Sequence, residues 1–220
     1  MAVGRGSHKL EKLLKKGAEA SLYRTEWFGD EVIRKARILK TFRQLNLDIK
    51  LRESRTRREA LFLREAKRAG ITTPLVYFVD LIKAEIIMQF IPGRSLKEII
   101  ESDDEDISLK WCTEVGRYVA RLHKVDMIHG DLTTSNFVIS HDKLVMMDFG
   151  LSFYSQRLED RAIDIHLLNM VVQSAHNNYA ENIMHAVLQG YQEIASKSNS
   201  LRLLERIKVV ERRGRYKRVE

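Results

Sequence analysis

One cysteine, Cys112, stands in 220 residues, which excludes an intramolecular disulfide and a cysteine-built zinc site. With two prolines, rigid linkers are scarce, and compact helices and strands are expected. No stretch holds ~18 consecutive apolar residues, which argues against a membrane-spanning helix. The opening residues, Met1 to Lys9, have no apolar core, so no secretory leader is expected. Together with the lone cysteine this fits a reducing cytoplasm. A Gly-x-Gly-x-x-Gly run is also missing. What is present is a globular composition, 44% hydrophobic and 31% charged, in a length suited to one or two domains with a sizeable core.

The net charge of +8 is unevenly placed. Residues 34–68 carry thirteen Lys/Arg against four Asp/Glu, and residues 202–220 carry eight against three, local balances of +9 and +5. Residues 101–106 go the other way, with five acidic side chains around Ser102. Basic clusters of this kind either attract a polyanion, nucleic acid first among them, or form a solvated surface with no dedicated partner. Charge alone does not separate the two.

Residues 9–37 read as strands, with turns at Lys16-Gly17-Ala18-Glu19-Ala20 and Phe28-Gly29-Asp30. Lys35 ends a short apolar strand and is the candidate phosphate-binding lysine, with Arg34 and Arg37 as rivals. Residues 53–69 lack Gly and Pro and favour helix, and Gly70 ends it. Glu59 sits at the edge of the face formed by Ala60, Leu63 and Ala66, where a carboxylate needs a partner. Lys35 would supply one; a surface pair with Arg55 or Arg58 is the alternative. Val76–Val79 and Ile86–Met88 read as strands of one sheet. Backbone around Gln89, Phe90 and Ile91 would suit a purine edge, and a domain boundary falls here.

Ser95 to Glu98 is an N-capped helix start. Ser108 is expected to cap a helix running to about Lys124, with Leu109, Cys112, Val115, Val119 and Leu122 on one face and His123 in a structural role. A further helix begins near Asp160, with Ile163, Leu167, Met170 and Val171 as its stripe. Asp164 beside that stripe either anchors a loop through backbone amides or favours the helix dipole. Residues 181–210 read as two helices split near Ser196–Ser200, and 211–220 as a tail mobile in isolation.

The most informative stretch is His129-Gly130-Asp131-Leu132-Thr133-Thr134-Ser135-Asn136, followed twelve residues later by Asp148-Phe149-Gly150. One carboxylate to take the proton of an attacking hydroxyl, then an amide oxygen and a second carboxylate to hold magnesium on phosphates, is the chemistry of phosphoryl transfer. Two clusters in this order and at this interval are far more specific than Asp-Phe-Gly alone.

These pieces, with Gly17-Ala18-Glu19-Ala20, Lys35-Ala36-Arg37, Arg55 to Ala60, Leu151 to Tyr154, Glu159 to Asp164 and the basic tail, resemble the small atypical serine/threonine kinases of the KEOPS complex. The resemblance implies an α+β, reduced two-lobed kinase-like fold: residues 1–90 a β-rich lobe with one main helix, 91–210 a mostly helical lobe, and 211–220 a basic tail. It implies ATP and Mg2+ as cofactors, with Asp131 as catalytic acceptor, Asn136 and Asp148 as metal ligands, and Lys35 with Glu59 as the phosphate-orienting pair. Gly17, Met88, Gln89, Phe90 and Ile91 would line the nucleotide. The implied partners are a threonylcarbamoyl-transferase subunit, other KEOPS subunits and transfer RNA, the last through the basic segment 34–68 and the tail residues Arg212, Arg213, Arg215, Lys217 and Arg218. Gly130 stands where most protein kinases have arginine, and the run from Gly150 to Asp164 is short for a peptide-docking platform. Weak peptide phosphorylation and partner-coupled ATP turnover are therefore expected. The alternatives are a small-molecule kinase of aminoglycoside or choline type, and a mainly non-catalytic scaffold for transfer RNA.

Overall fold

The computed structural model describes residues 11–102, 104–176 and 179–216, the side chains of 214–216 excepted, and ten strands and six α-helices run through these described residues. Met1–Lys9, Asp103 in the acidic run, and Lys217 and Arg218 in the tail lie outside the described residues, as does the side chain of Arg215. Contacts divide the chain into two units, Met1–Arg64 with Pro74–Pro92, and Glu65–Thr73 with Gly93–Glu220.

The first unit is an antiparallel sheet of β1 (Lys12–Lys16), β2 (Ala20–Trp27), β3 (Asp30–Arg37), β5 (Glu85–Gln89) and β4 (Val76–Asp80), in the order β1-β2-β3-β5-β4. Val32, Ile33, Ile86, Ile87 and Met88 are its buried hydrophobic residues, on β3 and β5. The main helix, α1, spans Leu45–Arg68 and so begins eight residues before the expected start at Glu53. Leu45, Leu47 and Ile49 alternate with polar residues and are exposed, so no helical stripe announces this turn. Charge holds it instead: the Arg52 guanidinium donates to the buried Asp48 carboxylate at 2.8 Å, one turn apart. At the other end Gly70 adopts φ +81°, its N–H reaches the Lys67 carbonyl at 3.1 Å, and the Ile71 N–H reaches the Ala66 carbonyl at 3.1 Å. That pair of bonds closes the helix in a Schellman motif.

The second unit contains β6 (Arg94–Ser95), α2 (Leu96–Ser102), α3 (Glu105–Lys124), β7 (Met127–Ile128), β8 (Phe137–Ser140), β9 (Lys143–Met146) and β10 (Phe153–Tyr154). Helices α4 (Leu158–Ala175), α5 (Ala180–Ile194) and α6 (Lys197–Tyr216) complete it. β8 and β9 meet through His141 and Asp142, both left-handed at φ +48° and +54°, the two-residue hairpin turn whose twist matches the strands. Ser95 and Glu98 form a capping box, the Ser95 N–H donating to Glu98 at 2.7 Å and the Glu98 N–H to Ser95 Oγ at 3.2 Å.

Three expectations are corrected. α3 is capped by Asp104, which accepts from the Asp106 N–H at 2.8 Å, rather than by Ser108, which lies inside its first turn. Acidic side chains beside the helix N-terminus favour the earlier start. On α4 the buried stripe is Ala162, Asp164, Ile165, Leu168 and Val172, while Ile163 and Met170 are each 39% exposed. Apolar and polar residues are mixed all round that helix, which leaves its sequence period ambiguous. The tail is helical to Tyr216 as part of α6, and Arg206 and Arg213 both pair with Glu159 of α4, at 3.2 and 2.7 Å.

The helical unit is built on a glycine-to-backbone crossing. A Cβ on Gly116 of α3 would stand 1.9 Å from the Val187 carbonyl oxygen of α5, and one on Gly190 would stand 1.9 Å from that of Thr113. Neither carbonyl can withdraw without parting the helices. Gly116→Ala or Gly190→Ala should therefore cost about 3 kcal/mol or more in denaturant unfolding, despite the better helix propensity of alanine. A loss below about 0.5 kcal/mol would show that the crossing is loose.

Candidate active site

The strand β7 delivers its chain into a loop that turns sharply at Gly130. Gly130 is left-handed at φ +79°, and a Cβ there would lie 2.7 Å from the Leu151 carbonyl oxygen. The position thus excludes any side chain, arginine included. The neighbouring His129 is buried, with its ring 4.9 Å from that of the fully buried Phe149. His129 Nδ1 faces the Asp131 N–H at 3.3 Å, and Nε2 faces the Met147 carbonyl at 3.4 Å. Placing the ring hydrogen on Nε2 satisfies both partners. One imidazole thereby links the backbone before Asp131 to the backbone before Asp148.

A 3-10 turn, Thr134–Asn136, then brings Asn136 back onto Asp131. Its Nδ2 donates to the Asp131 carbonyl at 2.9 Å and lies 3.4 Å from the carboxylate Oδ2, which turns the amide oxygen the other way. The Met147 N–H donates to the Asn136 carbonyl at 2.7 Å. Asp148 is left-handed at φ +52°, and its Oδ1 accepts from the Gly150 N–H at 3.2 Å. A non-glycine residue held in that conformation is strained, a feature that concentrates at functional positions.

What fixes the loop is Asp164 of α4, which has no exposed surface. Its Oδ1 accepts the Gly130 N–H at 2.8 Å and its Oδ2 the His129 N–H at 2.9 Å. His123 Nε2 reaches Oδ2 at 3.2 Å, and His123 Nδ1 faces the Tyr191 hydroxyl at 3.1 Å. Of the two roles open to Asp164 in the sequence, the structure shows the anchor. Burial alone would raise the Asp164 carboxyl, but the His123 bond, the electrostatic influence of the two neighbouring imidazoles and the His129 amide outweigh it and hold it below the ordinary carboxylate range. Burial pushes the Tyr191 phenol up to about 12, so it serves as an O–H donor to His123.

Ser152, within the Leu151–Tyr154 piece, donates its Oγ to the His129 carbonyl at 3.0 Å; Tyr191 and His176, whose Nε2 lies 3.2 Å from Thr134 Oγ1, are residues that the sequence does not single out. No local signal marks Tyr191 or His176, since their partners lie 68 and 42 residues away.

In the first unit, Lys35 Nζ lies 2.5 Å from Glu59 Oε1, with exposures of 7% and 1%. The rival Arg34 points elsewhere, to Glu11 at 2.6 Å and Glu85 at 2.5 Å. Gly17 lies in the β1–β2 turn, its N–H donating to the Ala20 carbonyl at 2.9 Å. Met88 is buried in β5. The Gln89 N–H is committed to the Leu75 carbonyl at 2.8 Å, and the Phe90 ring lies 4.4 Å below the Arg24 guanidinium. Ile91 is half-buried. The basic stretch 34–68 is largely spent internally: Arg43 and Arg52 pair with Asp48, Arg55 with Glu19, Arg57 with Glu53 and Arg68 with Glu65.

Among the described residues no cluster of three or more His, Cys, Asp or Glu forms a ready cation cage. Asp148, the outward amide oxygen of Asn136 and nearby Asp131 instead offer a few hard oxygens, the donor set suited to Mg2+ completed by phosphate oxygens and water.

Asp164 yields a pH-dependent prediction. Its folded pKa is below the unfolded value, so its contribution is fully present above the ordinary carboxylate range and is lost as pH falls through the folded value. Asp164→Asn should cost about 2–4 kcal/mol at neutral pH, because an amide turns a donor toward one of the backbone N–H groups. The difference from wild type should shrink on acidification. Melting curves over that pH range that stay parallel would contradict the anchor.

Residues 8–166 match the family model of protein tyrosine and serine/threonine kinases. Over 212 residues the chain is 40% identical to a KEOPS complex subunit Bud32 from Pyrococcus abyssi, covering 94% of this chain and 96% of that one. It is 41% identical over 206 residues to a probable bifunctional tRNA threonylcarbamoyladenosine biosynthesis protein from Methanocaldococcus jannaschii, again over 94% of this chain but only 37% of that longer protein. Among solved structures, a Rio2 kinase from Chaetomium thermophilum, in a complex with ADP, Mg2+ and phosphoaspartate, superposes with a TM-score of 0.65 at 13% identity. It covers 94% of this chain and 73% of that one, a likeness of fold. Antiparallel sheet in the first unit and helices in the second are thus a protein-kinase-like α+β fold, and the enzyme type is that of a kinase or ATPase. The chain belongs to the Bud32 family of KEOPS complex subunits, within the protein tyrosine and serine/threonine kinases.

Proposed function

We propose that the chain is an ATP-dependent phosphotransferase of serine/threonine kinase type, acting largely as an ATPase whose output a partner sets. The observation that carries this reading is the Asp131–Asn136 pair, bonded at 2.9 Å on a loop hung from Asp164. Asp131 accepts the proton of the attacking hydroxyl or water. Asn136 and Asp148 hold the metal through oxygen. Mg2+, when bound, neutralises charge on the phosphates and aligns them. Lys35, held by Glu59, orients the phosphates, and the Gly17 turn lets backbone approach them. Met88 and the Gln89–Ile91 segment border the base, with Phe90 and Ile91 rather than the committed Gln89 N–H donating to its edge.

Two features favour ATP turnover over peptide phosphorylation. Gly130 cannot carry the arginine that clamps a phosphorylated loop in other kinases, because any Cβ would collide with the Leu151 carbonyl. Only residues 151–157 separate Gly150 from α4, too few for a peptide-docking shelf. We place the activity within a KEOPS-type assembly that makes threonylcarbamoyladenosine on transfer RNA, beside the threonylcarbamoyl-transferase subunit and in the cytoplasm. Transfer RNA would meet the basic tail through Arg212, Arg215, Lys217 and Arg218, with Arg213 shared with Glu159.

Asp131→Ala and Asp148→Ala should each lower partner-stimulated ATP hydrolysis at least about 100-fold while leaving the melting temperature nearly unchanged. Measured phosphate release that persists in a folded variant would remove that residue from the site.

A further inference from the structure

Successive side chains of a strand point to opposite faces, so Lys35 and Arg37 of β3 share one. Both are buried, at 7% and 9% exposure, and both reach the same carboxylate. Lys35 Nζ takes Glu59 Oε1 at 2.5 Å, and Arg37 Nη2 takes Oε2 at 2.6 Å. The same Arg37 nitrogen also donates to the Arg55 carbonyl at 3.3 Å, one turn earlier on α1. Arg37 therefore ties strand to helix twice, and one of those ties does not involve a charge partner.

A carboxylate with 1% exposure needs its charge compensated whatever else its partners do. With Lys35 alone, any rearrangement of the ammonium toward a phosphate would weaken the compensation of Glu59, and the ligand would have to offset that cost. With a guanidinium fixed on the second oxygen, Glu59 stays compensated and α1 stays in place while Lys35 reorients. A guanidinium is well matched to this position, being always charged and weakly hydrated, with a fork of donors that can serve a carboxylate and a carbonyl together.

We propose that Arg37 is a positioning residue for phosphate binding: it holds the Glu59 carboxylate and α1 so that Lys35 can give its donors to the nucleotide phosphates. The inference rests on the reading of Lys35 as the phosphate-binding lysine. It makes the strand–helix ion pair a built-in feature of the fold, independent of loop phosphorylation.

The test is calorimetric titration of the intact protein with Mg-ATP and with adenosine, below each variant's melting transition. A group acting through the phosphates changes the ratio of the two affinities; a group acting only on stability changes the melting temperature and leaves the ratio alone. Arg37→Gln should lower that ratio about tenfold, the scale of one lost charged hydrogen bond. Arg37→Lys, which keeps the cation, should return most of it. Should Arg37→Gln not fold, Arg37→Met, which keeps the apolar stem volume, carries the same expectation. Lys35→Met should lower the ratio as well. If Lys35→Met lowers the ratio and the Arg37 variant does not, Arg37 is structural only and the proposal is overturned. If Lys35→Met leaves the ratio unchanged, the assignment of Lys35 itself falls, and the proposal with it.

Discussion

A carboxylate with no exposed surface must have both oxygens satisfied, and Asp164 meets that condition by holding the loop that carries Asp131. Two successive backbone N–H groups, of His129 and Gly130, occupy its oxygens. Those amides are aligned only when Gly130 is left-handed, and that conformation in turn brings position 130 against the Leu151 carbonyl. From this constraint the rest of the second unit can be read. His123 and Tyr191 extend the hydrogen-bonded chain into α3 and α5, and those helices can approach closely because Gly116 and Gly190 meet backbone directly. The candidate catalytic side chains thus sit on irregular backbone, and a rigid helical frame fixes where that backbone lies.

The first unit repeats the device with different donors. Glu59 is as deeply buried as Asp164, but two cations rather than two amides satisfy it. In both places a single acidic residue on a helix sets the position of a separate strand or loop. Removing one partner from such a group leaves an uncompensated buried charge, which costs more than the pair contributes when intact. Each unit is therefore sensitive at one point, and that point lies under a residue with a proposed role toward ATP.

Legibility in the sequence followed the kind of constraint. Asp131, Asn136 and Asp148 stand out as candidates because phosphoryl-transfer chemistry requires those residue types at short intervals, and the structure brings Asn136 back onto Asp131. The Lys35–Glu59 contact was visible because a carboxylate at the edge of an apolar helical face needs a cation. The kinase-like α+β fold followed from the same motifs. Elements whose cause is tertiary were not visible. Leu45 to Leu51 alternates like a strand yet forms the start of α1, held by the Arg52–Asp48 pair. Ser108 has the chemistry of a cap, but Asp104 precedes it. For Gly116 and Gly190, only the packed structure shows that nothing larger fits. The charge count of the basic stretch left a polyanion surface and a solvated surface equally open, and the structure shows that much of that charge is paired internally.

At the centre of this account, the Asp164 carboxylate holds the loop that carries Asp131 through the His129 and Gly130 amides. Residue-resolved amide hydrogen exchange tests it directly. In the wild-type protein those two N–H groups should exchange as slowly as the core amides of α3, and in Asp164→Asn they should become fast while the β2–β3 ladder is unchanged. Fast exchange of both amides in the wild-type protein would contradict the claim.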